Sequence, residues 1–209
     1  MSGELVSGGM RRLGRRATAV IAVATALCLT ATACDPPPNP SPGGSARSCT
    51  VGVVGDSLTV GSGPFWREAF ESRGCRLSFV NARGGRFTSE GVEVIRNLAR
   101  VGWLPDVLVV ALGTNDQIDP RYFAPQVQEV MRLAGDRPVV WVNIDKPWVE
   151  VTLNLALKLG KILYPNLWVY DWNKFADRFP QIRLPDKIHL TEGGYRLRAA
   201  LIARYVAGR

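Results

Sequence analysis

The chain has 209 residues, 46% of them hydrophobic, and a formal charge of +8. That length supports one well-cored domain and excludes two large ones. The arginines beyond the N-terminus are scattered, with no basic stripe interleaved with aromatics. This argues against a nucleic-acid partner and fits mild attraction to an anionic wall or membrane surface.

The first 33 residues hold four arginines (Arg11, Arg12, Arg15 and Arg16) and one acid, Glu4, so a net +5 remains beyond them. Arg11 to Arg16 form a positive region, and residues 17–32 are an apolar stretch. Ala31-Thr32-Ala33 then leads into Cys34. This is the pattern of an export signal. It resembles a bacterial lipobox, with Ala31 where leucine is usual. The resemblance implies lipidation of Cys34, and with it an extracytoplasmic, membrane-anchored protein. An ordinary cleaved signal or a retained anchor is the simpler alternative. Residues 35–48, DPPPNPSPGGSARS, lack apolar periodicity and read as an extended tether. The folded domain is expected over residues 49–209, as a monomer.

Strands are predicted at 50–54, 76–80, 106–112, 138–143 and 167–170. They are mostly continuous apolar runs, which suits strands covered on both faces. Helices are predicted at 64–72, 89–100, 121–133, 149–163 and 192–206. Alternation of the two predicts a three-layer α/β/α sandwich with a five-stranded, mostly parallel sheet. Cys49 and Cys75 stand at the feet of the first two strands, each six residues before the strand exit. If those strands are parallel neighbours, the sulfurs start level, and an exported protein permits a bridge.

Ligands of such sheets sit beyond the carboxyl ends of the strands. After the first strand comes Gly55-Asp56-Ser57, and after the second Asn81-Ala82-Arg83-Gly84-Gly85-Arg86. Gly113-Thr114-Asn115-Asp116 follows the third. Asp186-Lys187-Ile188-His189 precedes the last helix, and His189 is the only histidine. A serine hydroxyl needs a base within reach, and the imidazole needs a carboxylate to fix its tautomer. Asp186, three residues before His189, can reach back to the ring. The amides of Ser57 and of the Gly84-Gly85 turn, with the Asn115 side chain, are candidate oxyanion donors. Simpler readings stand beside these. Ser57 can be a helix cap with Asp56 a structural turn residue, Gly84-Gly85 a tight turn, Asn115 a turn-former, and Asp116 a local cap.

With Gly55-Asp56-Ser57-Leu58, a glycine after the second strand, Gly113-Thr114-Asn115-Asp116 and Asp186-Lys187-Ile188-His189 in this order, the chain resembles the SGNH hydrolases, or GDSL esterases. The resemblance runs from Val51 to about Ala200. It implies a flavodoxin-like SGNH fold with Ser57 as nucleophile and Asp186 and His189 completing a triad. Ser57, Gly85 and Asn115 would donate to the oxyanion. The 81–86 stretch is most similar to SGNH domains tied to O-acylation of cell-surface glycans, with Asn81 where those have Asp. The expected substrate is a small-molecule or glycan ester with a short acyl chain. No cofactor is expected, and no metal, since one histidine and no Cys/His cluster make a poor ligand set. Trp148 is expected either to line the cleft or to be core, and Arg86 either to contact substrate or to decorate its loop. A transferase and a non-catalytic wall-binding lipoprotein are the rival functions.

Overall fold

The computed structural model describes residues 49–208. The expected signal, the tether and Cys34 lie outside the described residues. The domain opens with β1 (Cys49–Gly55), then α1 (Ser57–Gly61), a 3-10 turn (Gly63–Phe65) and α2 (Trp66–Glu71). There follow β2 (Cys75–Ala82), α3 (Thr88–Arg100), β3 (Val107–Ala111) and α4 (Pro120–Ala134). The chain continues through β4 (Val139–Val142), α5 (Glu150–Leu163), β5 (Leu167–Tyr170) and α6 (Trp172–Arg178). A second 3-10 turn (Pro180–Ile182) and α7 (Glu192–Ala207) complete it.

The five strands are all parallel, in the order β2-β1-β3-β4-β5. This is the flavodoxin-like order, in which every strand points its carboxyl end at one rim. The three central strands are apolar over nearly their whole length because both faces are covered. Val51, Val53, Val109 and Val140 pack beneath α2 and α7, together with Trp66, Phe70 and Ile202. Val54, Val110 and Trp141 face the opposite layer, against Ile95 of α3, Phe123 of α4 and Leu157 of α5. The sequence thus builds two cores, one on each side of the sheet, giving the α/β/α sandwich.

Both feet of the sheet are fastened. Asp106 Oδ2 accepts from the Thr50 N–H and the Thr50 hydroxyl, each at 2.8 Å, which fixes β1 against β3. Cys49 and Cys75 are register partners with Cα atoms 4.7 Å apart, and their sulfurs are joined. The bridge expected from strand position is therefore formed. It closes a sequence separation of 26 residues, worth about 3 kcal/mol on chain-entropy grounds. Replacing both cysteines with serine should lower stability by about that amount in urea unfolding. The chemistry at the opposite end of the strands should be little changed.

Candidate active site

The sheet delivers its residues to one rim. At the exit of β1, Asp56 is buried and caps α1, with Oδ1 accepting the Leu58 N–H at 3.0 Å. The expectation that Asp56 is structural fits this role. Burial pushes the Asp56 carboxyl up, while the charge of Arg198 opposes that push. Arg198 is itself wholly buried in α7 and pushed down by desolvation, with Asp56 acting against it. Ser57 is the first residue of α1. Its N–H has no acceptor among the described residues, as expected for a helix first turn. Its hydroxyl turns toward the end of the chain.

There it meets His189. Ser57 Oγ lies 3.0 Å from His189 Nε2, and His189 Nδ1 lies 2.7 Å from Asp186 Oδ2. Asp186 Oδ1 also accepts the N–H groups of Ile188 at 3.0 Å and His189 at 2.9 Å. These donors, the Ile188 amide foremost, hold the Asp186 carboxyl at a pKa of about 2. It therefore stays ionised through mildly acid conditions, and its brace on the ring is lost only as pH falls toward about 2. Lys187 takes a left-handed conformation, φ 61°, to turn the loop between the two residues. The structure thus brings together the three residues read as a triad, with Asp186 on one imidazole nitrogen and Ser57 on the other.

The donor candidates come from neighbouring exits. Gly85 has φ 68°, a left-handed turn that favours glycine, and its N–H has no acceptor among the described residues. Gly84 has no such conformation. Asn115 Nδ2 donates to the Arg86 carbonyl at 3.1 Å, which fixes the amide on the β2–α3 loop. Gly113, at φ 120°, makes the bend that leads into it. Asp116 caps a distant helix, accepting the Thr88 N–H at the start of α3 at 2.8 Å.

Two expectations change. Arg86 is only 6% exposed and points inward. Its guanidinium donates to the Gly55 carbonyl at 3.1 Å, the Asn81 carbonyl at 2.7 Å and Asn81 Oδ1 at 2.8 Å. It ties the glycine turn to the exit of β1, and neither substrate contact nor loop decoration describes it. The amide oxygen of Asn81 supplies one acceptor. Trp148 is 83% exposed with φ 74°, so it is not core.

The residues missed by sequence reading form a clamp under the histidine loop. Arg183 Nε donates to Asp145 Oδ2 at 2.9 Å, and Nη2 donates to Asp145 Oδ1 at 2.6 Å and to Asp177 Oδ1 at 2.8 Å. The Asp145 and Arg183 side chains are 5% and 13% exposed. The Arg183 guanidinium is held above its ordinary value, chiefly by its hydrogen bond to Asp145. Residues 183 and 190 form an antiparallel bridge, and the Leu184 N–H donates to the His189 carbonyl at 2.7 Å. The clamp therefore anchors the base of the loop that carries Asp186 and His189 to the exit of β4. Beside it, Lys146 Nζ donates to the Thr114 carbonyl at 2.9 Å, and Asn154 of α5 pairs with both the N–H and the carbonyl of Ile144, each at 2.8 Å. The signal for this group was the same strand-exit rule, applied to Asn143-Ile144-Asp145-Lys146.

Two concave spaces open among the loops of the rim, neither lined by Ser57 or His189. A cavity of about 450 Å³ opens among Phe87, Asp116, Tyr122 and Gln126. Another of about 420 Å³ opens among Asp145, Pro147, Arg183 and Leu184.

No protein-family model matches the sequence, and no curated protein is recognisably similar to it. Solved structures are similar. The C-terminal catalytic domain of peptidoglycan O-acetyltransferase A from Streptococcus pneumoniae superposes with a TM-score of 0.62 at 20% identity, over 77% of this chain and 95% of that domain. A protein assigned to the G-D-S-L lipolytic family from Desulfitobacterium hafniense gives 0.60 at 16%, over 75% and 98%. An acetyl xylan esterase from Geobacillus stearothermophilus gives 0.55 at 12%, over 76% and 94%. The fold is therefore that of the SGNH/GDSL-type esterases, as the motif resemblance implies.

Removing Arg183 leaves the buried Asp145 carboxylate without its charge partner, with Asn173 Nδ2 at 3.2 Å as a remaining donor, and frees the loop. Arg183→Ala should cost about 3 kcal/mol in urea unfolding. It should lower kcat by about tenfold or more with KM little changed, because a displaced base costs the chemical step and not substrate binding. Arg183→Lys, which keeps the charge and loses the fork, should fall between.

Proposed function

We propose that this chain is a serine esterase of the SGNH type, exported and tethered outside the cytoplasm, that cleaves short acyl esters, O-acetyl groups on carbohydrate among them. The observation that carries the reading is the continuous hydrogen-bonded line from Asp186 through His189 to Ser57, with distances of 2.7 and 3.0 Å. Likeness to folds that include an acetyl xylan esterase and an O-acetyltransferase domain supports the acyl-ester class.

In this reading His189 Nε2 takes the Ser57 proton as Oγ bonds to the ester carbonyl carbon. The carbonyl π electrons move to oxygen, and the oxyanion is met by the Ser57 and Gly85 N–H groups and the Asn115 amide. Collapse expels the alkoxide, which receives the proton from His189 and leaves an acyl-Ser57. His189 then deprotonates a water that attacks the acyl carbon. A second collapse breaks the Oγ–acyl bond, returns the proton to Ser57 and releases the acid. Asp186 remains a carboxylate throughout and stabilises the imidazolium.

A second reading keeps the acyl-enzyme and changes the acceptor, so that a sugar hydroxyl replaces water. The shared fold with the O-acetyltransferase domain favours including it. The export half of the proposal rests on the N-terminal pattern ending at Cys34 and on the Cys49–Cys75 bridge, which suits an oxidising compartment.

Ser57→Ala should reduce p-nitrophenyl acetate hydrolysis by about a thousandfold or more. Unchanged turnover would defeat the catalytic reading, and retained glycan binding with no turnover in the unaltered chain would favour the wall-binding rival. Mass spectrometry of products with and without added glycan separates hydrolysis from transfer. Cys34→Ser should abolish incorporation of radiolabelled fatty acid into the protein in cells. Label retained in the variant would count against lipidation of that residue.

A further inference from the structure

Helix α5 is apolar on both sides. Leu153 and Leu157 face the core, as expected of a covering helix. The outward side should then be polar. Instead Val151 is 74%, Ile162 79% and Leu163 72% exposed, and Leu155 and Leu159 are each 54% exposed. At the helical spacing of roughly 100° per residue these five cover an arc of about 120°. Lys158 and Lys161 are exposed along one border of that arc. Beside it, α5 and α4 enclose an apolar groove of about 440 Å³, walled by Ala124, Pro125, Leu155 and Leu159, and no residue lining it is charged.

We propose that this face of α5 seats on an anionic lipid surface, with the apolar stripe entering the interface and Lys158 and Lys161 meeting the headgroups. Two observations select this occupant. Lysines bordering an apolar stripe extend their stems along it and place their charges at headgroup level. A second copy fits poorly. An antiparallel two-fold pairing on the stripe sets the lysines of one copy beside those of the other, and the only acid of α5, Glu150, stands at its first position. The proposal depends neither on the catalytic reading nor on lipidation of Cys34. It concerns how the folded domain lies on a bilayer.

The test uses the full chain carrying Ile162→Trp as a reporter, with Arg204→Trp on exposed α7 in the opposite layer as control. Both are mixed with vesicles of phosphatidylglycerol and dibrominated phosphatidylcholine. The emission added by Ile162→Trp should be quenched about twofold or more beyond that added by Arg204→Trp. Adding Leu155→Gln and Leu159→Gln should abolish the difference, with Tm held to show that the fold persists. Omitting phosphatidylglycerol, or adding Lys158→Gln and Lys161→Gln, should weaken the seating by about fivefold per lysine. Equal quenching of the two reporters, or none, overturns the proposal. So does a dimer in sedimentation that Leu159→Gln dissolves, which would assign the face to a second copy.

Discussion

The contact between Ser57 and His189 joins positions 132 residues apart, and the rest of the domain serves to make it possible. No local preference brings a residue at the start of the fold beside one near its end. The parallel sheet does so because right-handed crossovers return the chain to the same rim after every strand. Gly55, Ala82, Ala111, Val142 and Tyr170 all end their strands there. The two cores keep those ends in register. The disulfide and the Asp106–Thr50 bonds hold the opposite pole, away from the chemistry.

Around that contact the charged and amide side chains work mainly on the protein itself. Arg86 ties the glycine turn to β1, Asn115 ties its loop to the Arg86 carbonyl, and Asp116 starts α3. Lys146 joins two exits, and Arg183 holds the histidine loop. The side chains of His189 and Asp186 are partly exposed, and these ties hold the loops that carry them. The rim is therefore a set of short loops cross-tied to one another through a few inward-pointing side chains.

Much of this was legible in the sequence. The five strands were visible because burial on both faces makes continuous Val, Leu and Ile runs, and the triad because its members fall at strand exits or before the last helix. The level cysteines followed from strand geometry. What escaped has physical reasons. Helices α1 and α6 are five and seven residues long, too short for periodicity to show, and each is set by an Asp cap at position 56 or 171. The Asp145–Arg183 pair spans 38 residues, and nothing local announces that two such charges will be buried together. Arg86 was misread because arginine is ordinarily a surface residue, and only the backbone carbonyls around it reveal its place. The outward apolar face of α5 was not separable in a strongly apolar helix, where Leu155 reads as buried beside Leu153 and Leu157 and is 54% exposed.

The double hydrogen bond from Asn154 to Ile144 lets one side chain stand in for a missing strand neighbour, answering both the donor and the acceptor of a main-chain unit. It joins α5 to the exit of β4, whose next residue, Asp145, is the partner of Arg183 at the base of the histidine loop, so the flank of the molecule and that loop share one chain of side-chain ties.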